Sequence, residues 1–182
     1  MISPLSLFGR RTGTSTKPIT DRNEPTSDRP PGIVFWLHVP RPKDLPAVYN
    51  LISGFDEHPD EPWFVISNDG EMPRDLPINS FHQRLTSDEE EEILPLLDHW
   101  KPDAVLWVSD CLMQVFIGAV NERQIPLMML DSGAAMAIAR QKFRWPGVKR
   151  KALQAFNYVL AGDPATSKAL IRAGAKKANV AV

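Results

Sequence analysis

From Ile33 onward the chain repeats one arrangement: a strand-length apolar run, a stretch with helix signals, then another apolar run. The first run, Ile33-Val34-Phe35-Trp36-Leu37, is bounded by Pro31-Gly32 and Pro40. It is continuously apolar rather than alternating, which suits a strand buried on both faces of a parallel sheet. Trp63-Phe64-Val65-Ile66, Ala104 to Val108, Pro126 to Leu130 and Tyr158 to Ala161 repeat the pattern, and Ile78 to His82 is a weaker strand between them. Asn179-Val180-Ala181-Val182 has the character of a further strand, cut off in progress, and predicts that more chain was or is attached.

The intervening segments carry helix punctuation. Asp44 precedes Leu45 to Ile52, with Gly54 as a stop. Ser87, Asp88 and the acids Glu89–Glu92 open a second helix, as the helix dipole favours, which Pro95 shortens or kinks. Helices are also expected over Leu112–Arg123, Gly133–Gln141 and Val148–Phe156. Asp163-Pro164 caps a last helix through Arg172, ended by Gly174. Alternating strands and helices with short loops predict an α/β, Rossmann-like parallel sheet with helices on both faces.

Composition narrows the class. The 182 residues are 43% hydrophobic and 24% charged, as in one ordinary soluble domain. The single cysteine, Cys111, excludes an internal disulfide framework. No apolar run approaches the roughly 20 residues that cross a bilayer, and the N-terminus lacks a secretory apolar region. A cytoplasmic protein that can touch a membrane surface remains. Residues 1–32 are rich in Ser, Thr, Pro, Gly and charge and read as a disordered tail, with residues 33–182 as the folded unit.

The net charge of −1 hides an asymmetry. Residues 1–100 carry nine Lys and Arg against seventeen Asp and Glu, whereas residues 101–182 carry twelve against five. Six cations, Arg140, Lys142, Arg144, Lys149, Arg150 and Lys151, fall within twelve residues, interleaved with Phe143 and Trp145. They form either exposed helix faces around a turn or a patch for an anionic ligand or membrane surface. No nucleic-acid motif accompanies them.

In a parallel sheet, function gathers at the C-terminal strand ends near the switch in strand order. That selects His38–Asp44, Ser67–Gly70, Ser109–Cys111, Asp131–Gly133 and Gly162–Asp163. Glycine-rich dinucleotide and P-loop motifs are absent. His38, His58, His82 and His99 lack metal-ligand spacing, so no metal is expected. Asp44 has two readings, helix N-cap or general base toward a hydroxyl.

With these segments in order, the chain resembles the N-terminal domain of the 3-deoxy-D-manno-octulosonic acid (Kdo) transferases. The likeness rests on Phe35-Trp36-Leu37-His38, Lys101-Pro102-Asp103-Ala104-Val105-Leu106, Arg123-Gln124-Ile125-Pro126-Leu127-Met128, Phe156-Asn157-Tyr158-Val159-Leu160-Ala161 and Gly174-Ala175. The resemblance implies the N-terminal, acceptor-side half of a two-domain GT-B glycosyltransferase of lipopolysaccharide core synthesis. A sugar would pass from CMP-Kdo or a similar donor to lipid A or a related glycolipid. No cofactor is implied. The CMP-sugar is a donor substrate held mainly by a C-terminal domain that this chain lacks or that a separate protein supplies, so the chain alone is expected to be incomplete. The setting implied is the cytoplasmic face of the inner membrane, with peripheral contact and without the anchoring helix common in the family.

The departures fall on the family's motifs. Its S-x-G-E, whose glutamate is the proposed base, corresponds to Arg41-Pro42-Lys43-Asp44. Only a carboxylate one methylene shorter survives, and a loss of roughly 1 Å in reach can cost about 10²-fold in rate. Its E-T-E-L-W-P corresponds to Ser109-Asp110-Cys111-Leu112-Met113-Gln114, leaving Asp110 as substitute carboxylate. Its N-A-R-L-S corresponds to Asp131-Ser132-Gly133-Ala134-Ala135. Asp44 and Asp110 are therefore the candidate catalytic residues. His38, Arg41, Lys43 and the six cations of 140–151 are the candidates for acceptor or anion binding. The alternative is a non-catalytic module that binds an anionic glycolipid, a membrane surface or a protein. A third reading is a truncated product with no stable role.

Overall fold

The first apolar run becomes the centre of the sheet. In the computed structural model, which describes residues 25–55, 62–71, 73, 75–131, 135–140 and 146–182, β1 (Val34–His38) lies between β2 (Trp63–Asn68) and β4 (Ala104–Trp107). Outside β2 lies β3 (Ser80–Arg84). Beyond β4 follow β5 (Leu127–Leu130), β6 (Tyr158–Leu160) and β7 (Val180–Ala181). All pairs are parallel and the order is β3-β2-β1-β4-β5-β6-β7. The order reverses between β1 and β4, which opens a crevice above their C-terminal ends.

Successive residues of each strand face opposite sides, and both sides are apolar. Val34, Trp36, Val65, Val105, Trp107, Leu127, Met129 and Val159 pack on one side. Among the described residues that side is covered by α2 (Glu90–Trp100), α3 (Gln114–Glu122), α4 (Ala135–Arg140), α5 (Pro146–Gln154) and α6 (Pro164–Ala173). Leu37, Phe64, Ile66 and Val108 face the other side, where α1 (Leu45–Ser53) packs through Val48 and Ile52. Among the described residues α1 is the one helix on this side. The face over β6 therefore leaves Tyr158 and Leu160 exposed.

Several local expectations are corrected. Ile78 lies in a turn and is fully exposed, and β3 begins two residues later. Its inward residues include the polar His82 and Gln83, made burial-compatible by bonds to Asn68 Oδ1 and from Trp100 Nε1. Apolarity alone points to the wrong register there. The helix opened by the acid run starts at Glu90 rather than Ser87 and continues through Pro95 to Trp100. Asp44 does not cap α1. It sits in the one-turn 3-10 helix Pro42–Asp44 with helical backbone angles, and its side chain makes no cap bond because Arg41 holds it. Asp163 does cap α6, accepting from the backbone N–H groups of Ala165 and Thr166 at 2.7 and 2.9 Å.

Residues 25–32, assigned to the tail from composition, are fastened to the body. Thr26 Oγ1 donates to the His82 carbonyl at 2.6 Å and Arg29 Nε to the Trp100 carbonyl at 2.8 Å. The ordered unit thus begins before Ile33.

Candidate functional site

The crevice predicted by the strand order is present. A cleft of about 350 Å3 opens at the C-terminal ends of four strands. His38 ends β1, Asp69 follows β2, Thr86–Asp88 follow β3, and Ser109–Cys111 follow β4. A second hollow of about 440 Å3, with His82 and Arg84 in its wall, adjoins it and shares Asp69.

His38 is held on two sides at the cleft. It is 4% exposed, and its ring lies against Trp107 with centroids 4.3 Å apart. Nδ1 is 3.0 Å from Ser67 Oγ, which also accepts the Trp36 indole N–H at 2.7 Å. Burial pushes the His38 pKa down from its ordinary 6.5 to about 3, so the ring is neutral near neutral pH.

Three carboxylates line the cleft, and they differ in environment. Asp69 and Asp110 are exposed. Asp88 is partly buried and accepts the backbone N–H groups of Val115 and Phe116 at 3.0 and 2.9 Å. Burial raises its pKa, against the lowering effect of bonds from Phe116, Val115 and Gln114. Ser109 Oγ accepts the Cys111 N–H at 3.2 Å, and the Cys111 carbonyl accepts the Trp107 indole N–H at 2.9 Å, which sets the turn that carries Asp110. Among the described residues no lysine or arginine lines this cleft. No group of three His, Cys, Asp or Glu side chains among them is placed to hold a metal ion.

The predicted site residues separate into those at the cleft and those away from it. His38 and Asp110 line it. Asp44 does not. It is 6% exposed, and its Oδ2 takes Arg41 Nε and an Arg41 terminal nitrogen, each at 2.6 Å. Arg41 therefore serves the β1–α1 loop, and Lys43 is exposed beside it. Among the C-terminal cations, Arg140 ends α4 and is exposed. Lys149 donates to the Ala139 carbonyl at 2.6 Å, tying α5 to α4, and burial lowers its pKa. Arg150 packs against Gly174, and Lys151 lies at the groove between α3 and α5. Lys142 and Arg144 lie outside the described residues, as do Ser132, Gly133, Phe143, Trp145 and His58. At the β5 and β6 ends Asp131 has a fastening role, accepting from Ala135 N and Gly162 N, each at 3.0 Å.

Sequence reasoning missed Thr86–Asp88. Reading β3 as Ile78–His82 ended the strand two residues early, and Ser87 and Asp88 were absorbed into a helix start. The signal that identifies them is the same Ser-Asp pair, read as the loop that closes β3 instead.

Solved structures with a similar fold include UDP-N-acetylglucosamine 2-epimerases and a lipopolysaccharide galactosyltransferase. UDP-N-acetylglucosamine 2-epimerase from Rickettsia bellii matches at 18% identity and TM-score 0.53, over 82% of this chain and 44% of that one. The 2-epimerase from Neisseria meningitidis, bound to UDP-GlcNAc, matches at 16% and 0.52, over 82% and 45%. The lipopolysaccharide outer core galactosyltransferase WaaB in its apo form matches at 10% and 0.57, over 82% and 44%. The chain thus spans less than half the length of each of these structures, and the likeness concerns the fold. No curated protein matches the sequence. The family model described as 3-deoxy-D-manno-octulosonic-acid transferase (kdotransferase) matches residues 9–182, and with nearly the whole sequence so aligned the chain belongs to the Kdo transferase family.

Proposed function

We propose that this chain is the acceptor-side half of a Kdo-transferase-type glycosyltransferase, and that the acceptor sugar enters the cleft at the ends of β1–β4. The observation that carries this reading is the position of that cleft at the strand-order reversal, lined by the exposed carboxylates of Asp69 and Asp110, the partly buried Asp88 and neutral hydrogen-bonding groups. An acceptor hydroxyl would attack the anomeric carbon of a CMP-activated sugar. The new C–O bond forms as the bond to the CMP phosphate oxygen breaks. Asp110, the exposed carboxylate on the β4 loop, takes the hydroxyl proton as general base. Asp44 keeps the β1–α1 loop in place through Arg41. The nucleotide is held mainly by a second domain or a separate protein. The lipid A-type acceptor keeps its anionic groups outside the cleft, toward Lys43 and the exposed cations of α4 and α5. Such contacts suit peripheral attachment at the cytoplasmic face of the inner membrane.

The test has two parts. Titration of the chain with a lipid A-type disaccharide in neutral detergent, and separately with CMP-Kdo, is expected to give acceptor binding and little donor binding. Transfer of labelled Kdo in the presence of a donor domain is expected to fall at least 10²-fold in Asp110→Asn. Donor binding without acceptor binding overturns the reading. A second reading, a glycolipid-binding module without transfer, is favoured by the closure of Asp44 onto Arg41. It predicts acceptor binding with no transfer under any pairing.

A further inference from the structure

The hydrogen-bond chain under the cleft determines which nitrogen of His38 carries its proton. Trp36 Nε1 can only donate, so Ser67 Oγ accepts from it. Ser67 is fully buried, and the only other group at its hydroxyl among the described residues is His38 Nδ1 at 3.0 Å. Were Nδ1 the proton carrier, it too would donate to Ser67 Oγ, and the hydroxyl hydrogen would have no acceptor among these residues. Leaving a buried donor unsatisfied is costly, so the hydroxyl donates to Nδ1 and the proton sits on Nε2. No described residue offers a partner to Nε2, and His38 lines the cleft.

We propose that His38 presents a neutral Nε2–H donor, fixed by the Trp36–Ser67 chain, and that with Asp69 and Asp110 it makes the cleft specific for an uncharged, hydroxyl-bearing sugar portion of the ligand rather than a phosphorylated one. This deepens the acceptor reading above and rests on it for the role of the bound sugar. Sugar hydroxyls can donate to the carboxylates of Asp69 and Asp110 and accept from Nε2–H. A phosphate in the same place would meet three carboxylates and no cation among the described residues. The low His38 pKa agrees, since a neutral ring offers a donor without attracting anions. Of the candidates for acceptor or anion binding, His38 is thereby assigned to the acceptor, apart from Arg41 and Lys43. Those two side chains lie outside the cleft lining.

The test uses the full chain labelled with 15N. Nitrogen-detected NMR of the His38 ring is expected to show a protonated Nε2 and a bare Nδ1. Titration with an uncharged methyl glycoside disaccharide is expected to move the His38 and Asp110 signals, and the same disaccharide carrying a phosphate to bind at least tenfold more weakly. Two variants separate the two nitrogens. His38→Gln can place an N–H near the position of Nε2 and is expected to bind within a few-fold of the parent. His38→Asn can replace only the Nδ1 side and is expected to bind about tenfold more weakly, one hydrogen bond's worth. A protonated Nδ1, equal binding of the phosphorylated sugar at these signals, or equal loss in both variants overturns the proposal. Absence of Kdo transfer leaves these readouts intact and overturns only the catalytic reading.

Discussion

Asp88 Oδ1 accepts the Phe116 backbone N–H at 2.9 Å across 28 residues of sequence. Its other oxygen takes the N–H of Val115 at 3.0 Å. The loop after β3 therefore caps the helix after β4, and one wall of the cleft is tied to another. Asp88→Ala removes the acceptor for two helix N-terminal N–H groups and is expected to cost about 1–2 kcal/mol. Asp88→Asn removes a charge that burial disfavours and keeps one capping oxygen, but its amide NH2 faces the second backbone N–H, so it is expected to lose less than Asp88→Ala, about 0.5–1 kcal/mol. Urea denaturation of the two variants checks the difference; equal losses would show that a single capping oxygen recovers nothing.

Arg41 and Asp44 form a second local tie. The carboxylate is almost fully buried and the guanidinium mostly so. Arg41→Ala leaves a buried charge without this partner and is expected to lower stability by about 1–3 kcal/mol. Neutralising the carboxylate as well, in Arg41→Ala/Asp44→Asn, is expected to recover part of that loss. A double-mutant cycle measures the coupling directly. Strictly additive losses would mean that the pair contributes nothing beyond its separate packing.

Much of the fold was legible in the sequence because strand burial on both faces is written as continuous apolarity. Val34-Phe35-Trp36-Leu37 and Val105-Leu106-Trp107 are unmistakable in this respect. Asp163-Pro164 and Gly174 bracket α6 as local rules require. Misreadings arose where a polar side chain answers to a distant partner. Gln83 is buried because Trp100 donates to it, Asp88 serves a helix of another βα unit, and Asp44 answers to Arg41 before the backbone. The site was legible to the same degree. His38 and Asp110 follow from the rule of strand ends, whereas the role of Ser67 beneath His38 depends on register across β1 and β2, which aligns His38 with Ser67.

His38 also sets a pH dependence. Its folded pKa, about 3, lies below the ordinary 6.5 of an unfolded chain. Below pH 6.5 the unfolded state takes up a proton that the folded state refuses, so stability falls as pH falls from about 6.5 toward 3. The slope from this group approaches ~1.4 kcal/mol per pH unit. Burial lowers the His82 pKa too, and that group adds in the same direction. Asp88, raised by burial, works in the opposite sense. The contribution of His38 is isolated by comparing the parent with His38→Gln in urea titrations between pH about 7 and about 4.5. The two curves are expected to diverge in the acid range. Parallel curves would mean that His38 takes up its proton without unfolding.

Two glycines predict effects of opposite sign. Gly174 ends α6 with φ of +129°, where side chains are strained, and a Cβ there would stand 2.8 Å from Arg150 Cγ and 3.0 Å from Arg150 Cα. Because the Arg150 backbone is one of the contacts, a rotamer change cannot relieve it. Gly174→Ala must therefore push α5 away from the end of α6, and is expected to cost about 1–3 kcal/mol. Gly118 lies inside α3, and a Cβ added to it would meet no atom within 4 Å beyond its own helix backbone, so Gly118→Ala adds helix propensity without a clash. It is expected to gain about 0.5–1 kcal/mol. Thermal melts of both variants provide the comparison. A stabilised Gly174→Ala would mean that the α5–α6 contact yields freely, and with it the rigid backing that places Arg150 on this surface.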